Sequence, residues 1–169
     1  RFELTICRRS DQKHFHCYTN LPEDLSEALE IIKSKYQKAQ DADLHVCLSH
    51  RKRRIINSAK QVAFAKDQQC IEIPAHDAEP GFKCCVGTKL IGSCTAGNIV
   101  NGGRYTVLEI GETIRLQGKE EFSISPESLS RTCQLGWACV YQKVQGRTEE
   151  GTVLLHDLAH KFATIQHLY

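Results

Sequence analysis

Apolar and polar residues alternate along this chain with two different periods. In "RFELTIC", Phe2, Leu4 and Ile6 alternate with Glu3 and Thr5, the two-residue period of a half-buried strand, which runs into "RRSD". In "LPEDLSEALEIIKSKYQKA" the period lengthens: Leu25, Leu29, Ile32 and Tyr36 recur at helical spacing, and Pro22, Glu23 and Asp24 stand where a helix start favours proline and negative charge. "DLHVCLS", residues 43–49, is short and apolar enough to be a buried strand. Ser49 then caps a helix, "HRKRRIINSAKQVAFA", with Ile55, Ala59, Val62 and Ala63 on one side and Arg51, Lys52 and Arg54 largely off it. A strand, a turn and a helix form a βα unit, and such alternation predicts a layered α/β domain with a largely parallel sheet.

From about Phe82 the pattern changes. "FKCCVGTKLIGSCTAGNIVNGGRYTVLEIGETIRLQGKEEFSIS" carries seven glycines and short alternating runs, "RYTVLEI" and "TIRLQ", separated by turn signals such as "NGG". This predicts a small antiparallel β barrel or meander over 81–131, inserted into an α/β domain made of 1–80 and 132–169. After it, "LGWACVYQKVQGRT", residues 135–148, reads as a short helix, "TVLLHDL" as a strand and "HKFATIQHLY" as a final helix.

A chain of 169 residues fits one domain with an insertion. At this length about 68–70% of the unfolded chain's surface can be buried, so the core needs no staples. The formal charge of +2 excludes a chain-wide polyanion-binding character and leaves one local basic patch, "HRKRR" at 50–54. Nine cysteines, Cys84 and Cys85 adjacent, show no C-x-x-C and no zinc-like spacing, so they read as reduced thiols of an intracellular protein. No run approaches the ~18 apolar residues of a membrane span, and no membrane partner is expected. The sequence opens at Arg1 and contains no Met, which leads us to expect a piece of a longer protein.

Several residues have the chemistry for phosphate or nucleotide. The basic run 50–54 starts a helix behind a buried strand, where side chains and free amides meet phosphate, although a charge run is also what a solvated face looks like. Gln145-Gly146, flanked by Lys143 and Thr148, offers an amide, a close-approach backbone, a cation and a hydroxyl; its plain alternative is a glycine helix cap. Asn101-Gly102 is an ordinary hairpin signal. Arg9, at the end of the first strand, is either a surface arginine or a fork of donors for a phosphate across an interface. No Ser-His-Asp, Cys-His or paired-carboxylate arrangement is recognisable, and His156-Asp157 reads as a structural strand-end pair.

The order of these pieces resembles superfamily 1 helicases of the RecD-like, 5′-to-3′ branch. "LTICRRS" is similar to motif IV, L-T-x-x-x-R-S, with Arg9 at the arginine directed to the ATP γ-phosphate. "LSHRKRRIIN" resembles the strand-to-helix segment of that branch, with Ser49, His50, Arg53 and Asn57 in matching positions. "VGTKLIGSCTAGNIVNGGRYTV", with Asn101, resembles a signature of its small inserted SH3-like barrel. "ACVYQKVQGRT" resembles motif V, A-x-T-x-H-K-x-Q-G-x-T, although Val140 and Gln142 replace its threonine and histidine.

The resemblance implies a RecA-like P-loop-NTPase-type fold, specifically the second motor domain of an ATP-dependent DNA helicase acting in replication or repair. It makes Arg9 catalytic; Lys143, Gln145 and Gly146 couple ATP to the track; Ser49, His50, Arg53, Asn57, Asn101 and Thr148 hold single-stranded DNA. No G-x-x-x-x-G-K-[ST], acidic Mg²⁺ motif or motif VI arginine occurs in the sequence. ATP and Mg²⁺ are therefore expected to bind mainly to a preceding RecA-like domain, with this piece inactive alone, in a nucleus or at a viral replication site. The alternatives are an RNA helicase of a viral-type replication protein, a non-catalytic nucleic-acid-binding module, and an unrelated α/β domain.

Overall fold

The computed structural model describes residues 12–36, 40–144, 149, 151–164 and 167; the strand expected at the amino terminus lies outside them. Helix α1 (Gln12–Thr19), which no apolar period in the sequence announced, precedes α2 (Leu25–Lys35). Asp24 starts α2 by accepting the Glu27 N–H at 3.0 Å, and Ala28 is its buried residue. Tyr36 falls just past the helix, extended and exposed.

Strand β1 (Leu44–Cys47) leads into α3 (His50–Phe64). There follow β2 (Ile71–Ile73), β3 (Phe82–Cys84), β4 (Lys89–Gly92), β5 (Arg104–Ile110), β6 (Ile114–Gln117) and β7 (Glu121–Ile124). The chain then forms α4 (Pro126–Thr132), β8 (Cys133–Leu135), β9 (Ala138–Val140), the single turn α5 (Tyr141–Val144) and β10 (Val153–Leu155).

These strands build two unlike halves. In one, β1 is the centre of a parallel sheet in the order β10-β1-β9, and His45 lies level with both Leu154 and Ala138. All four residues of β1 are buried, as befits a parallel strand covered on both faces. In the other half, an antiparallel sheet has the order β7-β6-β5-β4-β8, with the ribbon β2-β3 beside it. The pairing is that of an open sheet with β7 and β8 at its edges, and antiparallel strands extend from Ile71 to Leu135, beyond the 81–131 read from glycine content. Alternation is clean in β6, where Ile114 and Leu116 are buried between exposed Arg115 and Gln117.

Strand β4 is the wall shared by two cores. Leu90 joins Val107, Ile114, Leu116 and Leu129 on one face, while Ile91 joins Leu44, Val46 and Cys139 on the other. The chain passes between the halves at Gly136, where a Cβ would stand 2.9 Å from the Leu90 backbone, so only glycine permits that crossing.

Three local expectations change. In the segment read as a helix, 135–148, the chain up to Val140 belongs to two strands, because an apolar run this short has no period that separates strand from helix; among its described residues only Tyr141–Val144 is helical. Of the last helix expected over 160–169, the described residues 160–164 make turns instead, with Ala163 N–H to the His160 carbonyl at 2.7 Å, and His167 N–H bonds the Thr164 carbonyl at 3.0 Å; residues 165, 166, 168 and 169 lie outside the described ones. The third change is the orientation of α3. Ile55 and Val62 are 60% and 70% exposed, whereas Arg53, Asn57 and Gln61 are buried. No helix among the described residues is long and apolar enough to cross a membrane.

Candidate nucleic-acid interface

The β1–α3 turn is built as a rigid platform. Ser49 sits in extended conformation and its Oγ accepts the Lys52 N–H at 3.2 Å, satisfying one of the orphan amides of the first turn. Asp157, beyond β10, closes the turn from the other side: it accepts the Leu48 N–H at 3.1 Å and pairs with Lys52 Nζ at 2.6 Å. Burial disfavours the Asp157 charge, but the hydrogen bonds from Lys52 and Leu48 outweigh it and hold the carboxyl below its ordinary range. His156 stacks on His45, with ring nitrogens 2.9 Å apart. The His156-Asp157 pair is thus part of the scaffold.

On this platform Ser49, His50 and Arg51 are exposed and Arg54 is partly so. Partial burial lowers the His50 pKa, and the charges of Arg53, Arg54 and Lys143 add to that, outweighing Glu79. Lys143, on α5, donates to the Asn101 side-chain carbonyl in the turn before β5. The start of α3, the end of β9 and the turn of the antiparallel sheet therefore meet on one side. Two residues read as strand contacts, Arg53 and Asn57, do not belong to that surface.

Arg53, 1% exposed, donates from its two terminal nitrogens to Gln134 and Glu79. Asn57 donates to the carbonyls of Leu135 at 2.9 Å and Ala138 at 3.0 Å and accepts the Ala138 N–H at 2.7 Å. Gln61 continues the row, donating to the Lys83 carbonyl at 2.7 Å and Thr88 Oγ1 at 3.1 Å while accepting the Trp137 indole N–H at 2.8 Å. This polar row ties α3 to the ribbon and to the crossing at Gly136. The sequence reading missed Gln61, Glu79, Gln134 and Trp137; the four-residue spacing of Arg53, Asn57 and Gln61 was the available signal. Arg9, Gln145, Gly146 and Thr148 lie outside the described residues. Among the described residues no cluster of three or more His, Cys, Asp or Glu is arranged to hold a metal.

The fold is similar to that of solved Pif1 helicases. One structure, of two coordinating Pif1 helicases and DNA unwinding at forked duplex DNA, matches with a TM-score of 0.64 at 15% identity, over 96% of this chain and 45% of that one. Bacteroides Pif1 bound to single-stranded DNA matches with 0.63 at 14% identity, over 96% of this chain and 47% of that one. Bacteroides sp. Pif1 in complex with ADP-AlF4 matches with 0.53 at 14% identity, over 95% and 46%. At such identity the likeness is one of fold, and this chain spans less than half the length of those proteins. No family model and no curated protein matches the sequence.

Proposed function

We propose that this chain is the second RecA-like motor domain of an ATP-dependent superfamily 1 DNA helicase of the RecD-like branch, gripping single-stranded DNA at the start of α3. The observation that carries the reading is the meeting of Ser49, His50, Arg51 and Arg54 with the Lys143–Asn101 pair beyond the carboxyl ends of β1 and β9. Open parallel sheets bind ligands at that end of their strands, and cations at a helix start suit phosphate. Two further supports are the overlay on Pif1 bound to single-stranded DNA and the ADP-AlF4 complex of a Pif1 neighbour.

In this reading Arg9 reaches the ATP γ-phosphate across a cleft shared with a preceding motor domain, which supplies most of the ATP and Mg²⁺ contacts. Its guanidinium stabilises charge developing on the transferred phosphoryl group. Gln145, Gly146 and Lys143 couple that cleft to the track, and Thr148 and Asn101 contact the strand. Arg53 and Asn57 act indirectly, fixing the helix that carries Ser49 and His50. The antiparallel sheet serves as the SH3-like insert of that branch. The protein works in this reading at a reducing intracellular site, a nucleus or a viral replication site.

The test is Arg9→Ala in the full-length protein, with ATP turnover and single-strand binding measured in parallel. Turnover is expected to vanish while binding persists. Equal loss of both, or unchanged turnover, removes the role assigned to Arg9, and the absence of salt-sensitive strand binding by the unaltered protein removes the reading itself.

A further inference from the structure

The β2–β3 ribbon pairs Ile71 with Cys84, Glu72 with Lys83 and Ile73 with Phe82. Continued one residue further, the same register sets Cys70 opposite Cys85, and the Cys85 thiol is among the neighbours that raise the Cys70 pKa. Residues that face each other across antiparallel strands are spaced by about 4.5–5.5 Å, which falls in the range a disulfide spans. Cys84, the immediate neighbour of Cys85, is excluded by the strand period: it points to the opposite face, into the antiparallel core, where burial pushes its thiol up to about 12. Cys85 is turned instead toward Thr88 Oγ1 at 3.5 Å and the Gln61 amide at 3.9 Å. Cys70 is half-buried, donating weakly to the Gln68 carbonyl at 3.3 Å, so one thiol of the pair is open to solvent and the other is enclosed.

We propose that Cys70 and Cys85 form a redox modification site, at which hydrogen peroxide converts the two thiols into a cross-strand disulfide. In the first step the Cys70 sulfur attacks a peroxide oxygen, the O–O bond breaks, and the departing hydroxide takes up the thiol proton and leaves as water. Cys70 is then a sulfenic acid. The Cys85 sulfur attacks the Cys70 sulfur, the S–O bond breaks, and the second water leaves with the Cys85 proton. Two thiols are oxidised and one peroxide is reduced to two waters. Burial, with the facing Cys85 thiol, holds the Cys70 thiol above its ordinary range. The bond closes a loop that contains Glu79, the partner of Arg53.

The full chain is treated with hydrogen peroxide, alkylated and digested without reductant. A peptide pair joined between Cys70 and Cys85, two hydrogen atoms lighter than its free parts, is expected in the unaltered chain and in Cys94→Ser, and its loss in Cys70→Ser. Oxidation is expected to raise the thermal midpoint by about 5–10 °C, reversibly with dithiothreitol. Alkylation of both cysteines in the denatured oxidised chain, or Cys70 found joined to any cysteine other than Cys85, overturns the proposal.

Discussion

Asn57 and Ala138 are joined twice: the Ala138 N–H donates to Asn57 Oδ1 at 2.7 Å, and Asn57 Nδ2 donates back to the Ala138 carbonyl at 3.0 Å. The same side chain reaches the Leu135 carbonyl at 2.9 Å, so one amide satisfies backbone groups on both sides of the crossing from antiparallel to parallel sheet. Replacing it by Leu, of similar size, leaves those groups buried and unpaired. Asn57→Leu is expected to cost about 2–4 kcal/mol, read as a lower denaturant midpoint at unchanged slope.

The inverted faces of α3 make a second contrast. Ile55 and Val62 are exposed, so Ile55→Gln and Val62→Gln are each expected to change stability by less than about 0.5 kcal/mol. Arg53→Met removes a buried cation from Gln134 and Glu79, and Gln61→Leu leaves the Trp137 indole N–H and the Lys83 carbonyl without their partner. Each is expected to cost about 1–3 kcal/mol by chemical denaturation. The reverse ordering would mean that the apolar stripe packs inward.

Features of this fold were legible in the sequence where their cause is local. Ser49 could be read as a cap because capping needs only a short oxygen-bearing side chain and the amide of Lys52. Strand β6 could be read from its clean alternation, and β5 from alternation that holds as far as the register shift between Val107 and Glu109. The direction of α3 could not, because it carries two stripes at helical spacing and apolarity points to the wrong one. What settles the matter is supplied from elsewhere in the chain, by Glu79, Lys83, Gln134, Leu135 and Trp137, and no window around α3 contains them. The same cause misassigned Arg53 and Asn57 as surface contacts, whereas Ser49, His50 and Asn101 are exposed. Trp137 likewise reads as helical beside Tyr141 until β4 and β1 provide the neighbours that make its flanks strands.

If the start of α3 holds phosphate, its exposed arginine releases counterions on binding. Arg51→Ala is expected to weaken single-strand binding similarly across sequences and to flatten the slope of log K against log salt by about 0.7. Fluorescence anisotropy over a salt series reads both quantities. Lys52→Ala separates this role from structure: its ammonium is held by Asp157 at 2.6 Å, so its loss is expected to appear chiefly as lower stability. An unchanged salt slope in Arg51→Ala would take that residue out of the contact.

His45 makes stability depend on pH. It lies in the middle of the parallel sheet with its ring 5.2 Å from that of His156. Burial, followed by the charge of Lys60, lowers its pKa from 6.5, and the opposing charge of Asp41 does not restore it. Its folded-state pKa is below the unfolded value, so the stability it contributes is fully present above pH 6.5 and is lost as pH falls through the lowered value. Over that window the unfolded chain holds a proton that the native ring refuses, giving a slope of at most about 1.4 kcal/mol per pH unit. Urea unfolding from pH 8 to pH 5 is expected to show a smaller fall in stability for His45→Gln than for the unaltered chain. Parallel pH profiles for the two would show that His45 takes up its proton equally in the folded and unfolded states.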